Sequence, residues 1–312
     1  MVKILEAVPN FSEGRDPSVL DALVDTARRC GVDVLDASAD PDHHRSVVTY
    51  LGDDRSVVKA AVEMARVAID AIDLREHRGV HPRVGALDVL PFVPLEGTTM
   101  SDAVAAAHAA GEAIAGLGVP IFYYRHASPT PDRGLASLRR GGFEGLQAGF
   151  PAGREPDLPS KAEMPHRTAG VTCVGAREVL LAWNVFVEGL SVSAAKEIAS
   201  KIRERGGGFP GLRALGLELP RQHRIQISMN LEDVRRTPPL DVFHRIEREV
   251  AARGGEVVET QVIGMIPDAL VLPSAADRLH LPDLDPTRVL SRQIDRHIRD
   301  RSIGGAHTSD DA

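Results

Sequence analysis

Cysteine is nearly absent: Cys30 and Cys173 stand far apart and without metal-site spacing. That argues against a disulfide framework and for a reducing compartment. Aromatic side chains make up only 4% of the 312 residues, which disfavours a stacking platform for single-stranded nucleic acid. No stretch approaches the ~18 uninterrupted apolar residues of a membrane helix. The opening Met1–Ala7 meets Glu6 and then Pro9 before any apolar run long enough for a signal peptide. Basic charge is neither in excess nor clustered, with a net charge of −7 and Lys and Arg scattered along the chain. No nucleic-acid footprint is visible in such a pattern. These absences leave a cytoplasmic protein with no nucleic-acid and no membrane partner as the expectation.

What remains is an ordinary globular composition, 43% hydrophobic and 26% charged. A chain of 312 residues is too long for one small core and predicts two units of roughly 100–200 residues each. Periodicity predicts a strand over Lys3–Val8 and a helix over Pro17–Arg29 capped by Asp16. Strands follow over Val32–Leu35 and Ser46–Leu51, then a helix over Val57–Ile72 and a strand over Val84–Val93. A further helix near Asp102–Ala115 and a strand at Ile121–Tyr124 complete the first half.

After a loop-rich stretch from Pro129 to Gly170, the β-α-β-β-α-β order returns. It consists of a strand over Val179–Val187, a helix over Ser193–Arg203 capped by Ser191, and strands over Leu212–Leu217 and Arg224–Asn230. A helix over Leu240–Ala252 and a strand over Glu256–Gly264 close it. The fold class expected is α/β (α+β): two ferredoxin-like βαββαβ subdomains with mixed sheets, side by side, leaving a cleft for ligands. Within Pro286–Asp300 a short helix is expected, and disorder from Gly304 to Ala312.

The densest polar segment is His77-Arg78-Gly79-Val80-His81-Pro82-Arg83-Val84-Gly85-Ala86-Leu87-Asp88, at a helix-to-strand junction where scaffold-held loops often place functional groups. Gly79 and Pro82 break any helix there, so the four-residue spacing of His77 and His81 is a weak zinc signal, and neither HExxH nor CxxC supports one. A solvated turn is the plain alternative. A second polar cluster runs from Asp36 to Arg45, and a third, Asn10 to Arg15, follows the first strand. Each reads alone as a hydrophilic connection with turn or cap chemistry. A sheet of this order can bring all three to one end. The glycine-rich pieces Arg140-Gly141-Gly142 and Gly206-Gly207-Gly208 lack phosphate-loop context and read as turns.

Two of these segments carry a resemblance. Val8-Pro9-Asn10-Phe11-Ser12-Glu13-Gly14 resembles the opening VPNFSEG of the glutamate formimidoyltransferases, the formiminotransferase part of formiminotransferase-cyclodeaminase. His77–Asp88, followed by Leu90-Pro91-Phe92-Val93-Pro94, is similar to that family's H-x-G-x-H-P-R-x-G-A-L-D-V-x-P-F-x-P signature. Further echoes lie at Gly175-Ala176-Arg177, Leu181–Val185 and Gln261–Pro267. The resemblance implies a subdomain over 1–177, a second over 178–281 and a partly disordered extension over 282–312, without the cyclodeaminase domain.

It also implies transfer of a formimidoyl group from N-formimidoyl-L-glutamate to N5 of tetrahydrofolate, in histidine degradation, with tetrahydrofolate as co-substrate, no metal, and a homodimer. The family's proton-transferring histidine falls on His81, and its folate-contacting loop on Pro159, Ser160, His166 and Gly170. Asn10, His44, Arg45, Arg78 and Arg83 become substrate-binding expectations, the arginines as bidentate clamps for carboxylates or, equally, as partners of surface acids. Animal members carry Phe-Gly-Pro where this chain has Asp157-Leu158-Pro159, and an Asn often stands where His44 does. Rival readings are formyl transfer on the same fold, a folate-binding protein without turnover, and a metal-dependent hydrolase using His43, His44, His77 and His81.

Overall fold

The computed structural model describes residues 3–131, 133–234, 236–266, 290 and 293–297. The chain divides into two compact units, the first Lys3–Glu178 and the second beginning at Val179.

The first unit is built on one sheet. Strands β1 (Leu5–Ala7) and β2 (Asn10–Phe11) are two pieces of one line, both antiparallel to β4 (Arg45–Gly52) and β5 (Leu87–Pro94). The break falls at Val8-Pro9 because proline has no N–H for the ladder. With β3 (Asp33–Asp40), β6 (Ile121–Arg125) and β7 (Thr172–Ala176), the order across the sheet is β3, β4, β1/β2, β5, β7, β6. The β5–β7 and β6–β7 pairs are parallel.

Three helices cover one face, and each starts where a side chain satisfies its free N–H groups. Asp16 accepts from Ser18 N at 2.9 Å to begin α1 (Pro17–Arg29), and Asp53 accepts from Ser56 N at 2.7 Å to begin α2 (Asp54–Ala71). Thr99 and Asp102 form a reciprocal capping box at α3 (Met100–Ala115). Their inward residues, among them Leu23, Met64 and Ile114, meet Leu5, Tyr50, Leu90 and Phe92 in the main core. A smaller core lies on strand residues of the opposite parity: Val89, Phe122, Tyr124 and Cys173 pack with Leu138 and Leu146. That packing seats the short helix α4 (Leu135–Leu138).

Two stretches differ from the sequence expectation. Asp36–Asp40 continues β3 rather than forming a connection, and Thr172–Ala176 is a strand in the stretch left unassigned between Gly170 and Val179. Asp, Ala and Ser have little strand preference. As the outer neighbour of the fully buried β4, however, β3 gains a ladder from Asp33↔Leu51 to Asp40↔Arg45, with one bulge between Val34 and Asp36. Strand β7 is five residues ending at Gly175-Ala176, too short for a periodicity signal.

The second unit runs β8 (Leu181–Glu188), α5 (Val192–Ile202), β9 (Leu212–Leu219), β10 (Arg224–Leu231), α6 (Pro239–Ala251) and β11 (Glu256–Ile263). Its sheet order is β11-β8-β10-β9, antiparallel throughout. Ser191 caps α5 as expected, accepting from Ala194 N at 3.2 Å. The core gathers Trp183 and Phe243, with ring centroids 5.9 Å apart, and Leu181, Ile198 and Ile246. Residues 290 and 293–297 are helical. The rest of the expected tail helix, and the 304–312 stretch, lie outside the described residues. Among the described residues no helix is long and apolar enough to cross a membrane.

Candidate active site

The H-x-G-x-H-P segment and the residues after it form a loop between α2 and β5, and it is held from four directions. Val80 N donates to Asp42 O on the β3–β4 turn at 3.0 Å. Ser12, just after β2, donates through its Oγ to Gly85 O at 2.6 Å and through its N to Ala86 O at 2.8 Å. Val84 O accepts from Val171 N at 3.0 Å, and Arg83 O from Phe143 N at 3.0 Å. Two glycines permit this closeness. A Cβ on Gly79 would stand 2.2 Å from His43 O, and one on Gly85 would stand 2.0 Å from Val171 O. The three polar clusters of the sequence thus converge at one end of the sheet.

At the centre lies Asp88, fully buried on β5. Its Oδ1 accepts from Val84 N at 2.8 Å and Gly85 N at 3.3 Å. Its Oδ2 accepts from Arg45 Nη1 at 2.7 Å and also from Arg139 Nη2. Burial alone would raise this carboxyl, but Arg139 and Arg45 outweigh burial and hold it well below the usual carboxylate range. Burial pulls Arg45 down to about 10 despite the attraction of Asp88, with Arg139 repelling it further. Arg45 Nε donates to Asn10 Oδ1 at 3.1 Å, which ties the first sequence motif to this centre.

His81 is half-buried, and its Nδ1 lies 2.8 Å from the carbonyl oxygen of Pro82. A carbonyl only accepts, so Nδ1 carries the hydrogen and Nε2 keeps its lone pair in the neutral ring. Desolvation, then the charges of Arg45 and Arg139 and the neighbouring His43, push this imidazole well below its ordinary value, against a smaller opposing pull from Asp88. The His43 and His81 ring centroids are 5.8 Å apart.

His44 and His77 form a separate stack beside this centre. His44 takes a left-handed backbone, φ 50°, a strained choice for a residue with a Cβ. It is held there by several bonds. Its Nδ1 accepts from Arg78 N at 3.3 Å, so Nε2 donates to Glu13 Oε1 at 3.2 Å. His77 Nε2 donates to His44 O at 2.7 Å. Glu13 Oε1 also accepts the backbone N–H groups of Gly14, Arg15 and Asp16. Burial would raise Glu13, yet these bonds and His44 lower it overall. Among the described residues no group of three or more His, Cys, Asp or Glu side chains converges in a metal-binding arrangement.

The remaining expected residues are more dispersed. Arg78 is exposed and donates to the carbonyls of His77 and Arg75. Arg83 is buried, and both its terminal nitrogens are taken by Glu144 at 2.8 and 2.7 Å, so its fork is filled by a protein carboxylate. Pro159 and Ser160 are exposed. The loop they open is pinned at one end by Ile121 N donating to Leu158 O at 2.7 Å. At the other end His166 and Gly170 exchange backbone hydrogen bonds, and Gly170 pairs with Gly85. The loop therefore ends against the His81 segment.

Asp88, Arg139, Glu13 and Glu144 carry the electrostatics, yet sequence reasoning assigned none of them. Asp88 stood in the motif and could have been found as its one carboxylate inside an apolar strand. Arg139 had no signal: it follows a four-residue helix and arrives through packing of the smaller core.

Fold and site together define a class: an α/β protein with a buried two-arginine, one-aspartate centre beside a histidine whose Nδ1 is engaged by a backbone carbonyl. Residues 4–177 match the formiminotransferase domain, N-terminal subdomain, and residues 182–281 match the formiminotransferase domain. The chain belongs to the formiminotransferase family. It is 39% identical over 289 residues to a glutamate formimidoyltransferase of Streptococcus pyogenes serotype M1, covering 91% of this chain and 96% of the relative. A glutamate formimidoyltransferase of Thermoplasma acidophilum is 35% identical over 298 residues, with 95% and 98% covered. The formimidoyltransferase-cyclodeaminase of Sus scrofa is 38% identical over 287 residues, which span 88% of this chain but 52% of that protein.

Proposed function

We propose that this chain is a glutamate formimidoyltransferase that moves the formimidoyl group of N-formimidoyl-L-glutamate to N5 of tetrahydrofolate, giving 5-formimidoyltetrahydrofolate and L-glutamate. The two relatives covered almost end to end carry that enzyme name. The observation that carries the reading is His81, with Nδ1 engaged by Pro82 O and Nε2 left with its lone pair.

The reaction requires a group of this kind. N5 attacks the carbon of the protonated amidine as a neutral amine, the C=N π pair moves onto the terminal nitrogen, and the new C–N bond leaves a proton to be lost from N5. His81 Nε2 takes that proton. The imidazolium then gives it to the glutamate nitrogen, the terminal nitrogen's lone pair re-forms C=N as the old C–N bond breaks, and glutamate departs as a neutral amine. A pKa held below the ordinary histidine value keeps the ring neutral near pH 7 and makes the imidazolium a stronger acid toward a poor leaving group. Such help is typically worth ~10²–10⁴ in rate, and holding both substrates together adds to it.

Around this step we assign Asn10, His44, Arg45 and Arg78 to the glutamate side, and the loop of Pro159, Ser160, His166 and Gly170 to folate. Arg83 positions the His81 loop through Glu144. Each unit by itself reads as a ferredoxin-like subdomain, within boundaries 1–177 and 178–281. A cytoplasmic homodimer acting in histidine degradation, with tetrahydrofolate as its co-substrate and without a metal, completes the proposal. The test is a spectroscopic transfer assay with tetrahydrofolate and formimidoylglutamate, with formylglutamate run alongside, on the wild type and on His81→Ala. Transfer from formimidoylglutamate that is lost in a folded His81→Ala protein is expected. Near wild-type turnover by that variant removes His81 from the mechanism.

A further inference from the structure

The centre at Asp88 carries more cation than it neutralises. Two guanidiniums, from Arg45 on β4 and from Arg139 at the end of α4, converge on one carboxylate oxygen. The surroundings are closed: Asp88 is fully buried, Arg45 is 9% exposed, and the Arg139 side chain is 13% exposed. The count is two positive charges to one negative. Asp88 cannot serve further donors, since Oδ1 already accepts two backbone N–H groups and Oδ2 two arginines. Donors nonetheless remain. Arg139 Nε is buried without an acceptor. Arg45 Nη2 and Arg139 Nη1 make no hydrogen bond to the described residues. Desolvated guanidinium groups with unused N–H donors are costly until a second anion meets them.

We propose that Arg139 is a further substrate-binding residue: with Arg45, and held by Asp88, it forms a two-guanidinium receptor for a carboxylate of the amino-acid substrate beside His81. This rests on the reading of His81 as the proton-transfer group. Planar carboxylate and paired planar guanidiniums suit one another geometrically in a way an ammonium cannot reproduce. The charge balance supports a single carboxylate, which brings the centre to neutrality.

The receptor also couples binding to proton transfer. The groups acting on the His81 ring are Arg45 from β4, Arg139 just after α4, His43 from the β3–β4 turn and Asp88 from β5; the arginines and His43 disfavour its protonated form, and Asp88 favours it. A carboxylate seated on the two arginines offsets their field, so the ring becomes more basic when substrate is bound. The free enzyme keeps His81 unprotonated, and the complex gives it the basicity to accept the N5 proton. The acid limb of kcat, which reports the complex, therefore lies at higher pH than the acid limb of kcat/KM, which reports the free enzyme.

The experiment compares wild type, Arg139→Met and Arg139→Lys with formimidoylglutamate and tetrahydrofolate across pH 5–8. Arg139→Met is expected to raise KM for formimidoylglutamate about 10- to 100-fold, from the loss of charge-assisted hydrogen bonds, with KM for tetrahydrofolate unchanged. It also moves the kcat/KM acid limb upward, because one cation facing His81 is gone. Arg139→Lys keeps the charge and restores the limb, while KM stays high because the fork is lost. A folded Arg139→Met protein with unchanged KM for formimidoylglutamate and an unmoved limb overturns the receptor.

A measurement on the unaltered protein, ¹⁵N-arginine NMR during titration with glutarate, reads the receptor without any activity assay and needs only the conservative Arg139→Lys protein for assignment. The Arg139 Nε–H signal, assigned by its absence in Arg139→Lys, is expected to shift. Its failure to move at saturating glutarate overturns the proposal. If the wild type transfers nothing from formimidoylglutamate, the transferase reading fails instead, and the glutarate titration still decides the receptor.

Discussion

The imidazoles of His44 and His77 lie face to face, with centroids 4.2 Å apart and planes 10° from parallel. Two stacked rings at that distance cannot both carry charge at low cost, and burial already depresses both, His77 to about 4. Between about pH 4 and the ordinary value near 6.5, the unfolded chain holds a proton that folded His77 does not. Stability therefore rises with pH across that window, is complete above it, and is lost as pH falls toward 4. The expected outcome is a falling Tm between pH 7 and 4.5, amounting to roughly 2 kcal/mol at about 1.4 kcal/mol per pKa unit. His77→Asn, which can still donate to His44 O, flattens that slope in calorimetry. A variant with the wild-type slope shows that the acid lability arises elsewhere.

Asp88→Asn tests the central charge balance. The amide oxygen can still accept from Val84 N and Gly85 N, but its NH₂ then points donors at Arg45 and Arg139. Removing one partner of a buried ionic group typically costs about 3–5 kcal/mol, which for this chain is a drop in Tm of roughly 10 °C. Calorimetry at pH 7 reads it. A Tm within a degree of wild type means that Asp88 is not what holds the two arginines.

How far this centre was legible follows from how each part is encoded. The helices announced themselves through apolar periodicity, and Asp16 marked its own start as a cap. Asp53 and the Thr99–Asp102 box went unread, which is why α2 and α3 begin earlier than the expected Val57 and Asp102. The His77–Asp88 loop stood out because Gly79, Pro82 and Gly85 punctuate a dense polar run. Convergence on Asn10 and His44 followed from the order of strands. Arg139 stayed hidden because its contact with Asp88 spans 51 residues and rests on tertiary packing. For the same reason the sequence left Arg83 open between a carboxylate clamp and an ion pair: its partner Glu144 lies 61 residues away. Strand β3 was cut short because the pairing that extends it is non-local and overrides the propensity of Asp36–Asp40.

The Arg83–Glu144 pair yields a separate prediction. Arg83 is 8% exposed and hands its own carbonyl to Phe143 N, so this pair fastens the His81 loop to the turn at 143–146. The hydrogen bonds from Arg83 hold Glu144 at about 2. Any stability it adds is present above the ordinary carboxylate value near 4.5 and fades only as pH falls toward 2. Arg83→Met and Glu144→Gln should each lower kcat several-fold while leaving both KM values nearly unchanged, and the double variant should cost less than the sum of the two. A selective rise in KM for one substrate in Arg83→Met alone would return Arg83 to the carboxylate-clamp role.

Gly79→Ala separates loop placement from loop chemistry, because it removes no functional group. The added Cβ would stand 2.2 Å from His43 O and 2.8 Å from His44 Cβ, far inside van der Waals contact with a backbone that cannot yield cheaply. Relief requires the loop to move away from the β3–β4 turn, breaking the Val80 N to Asp42 O bond and drawing His81 away from His43. A displacement of about 1 Å at a positioned group commonly costs on the order of 10²-fold in rate. The expected result is a kcat reduced by about that factor. The second unit, whose core shares no residue with this loop, should unfold at its usual temperature. Full activity in Gly79→Ala would mean that the loop tolerates a shift the packing forbids, and that the proximity of His81 to His43 plays no part in transfer.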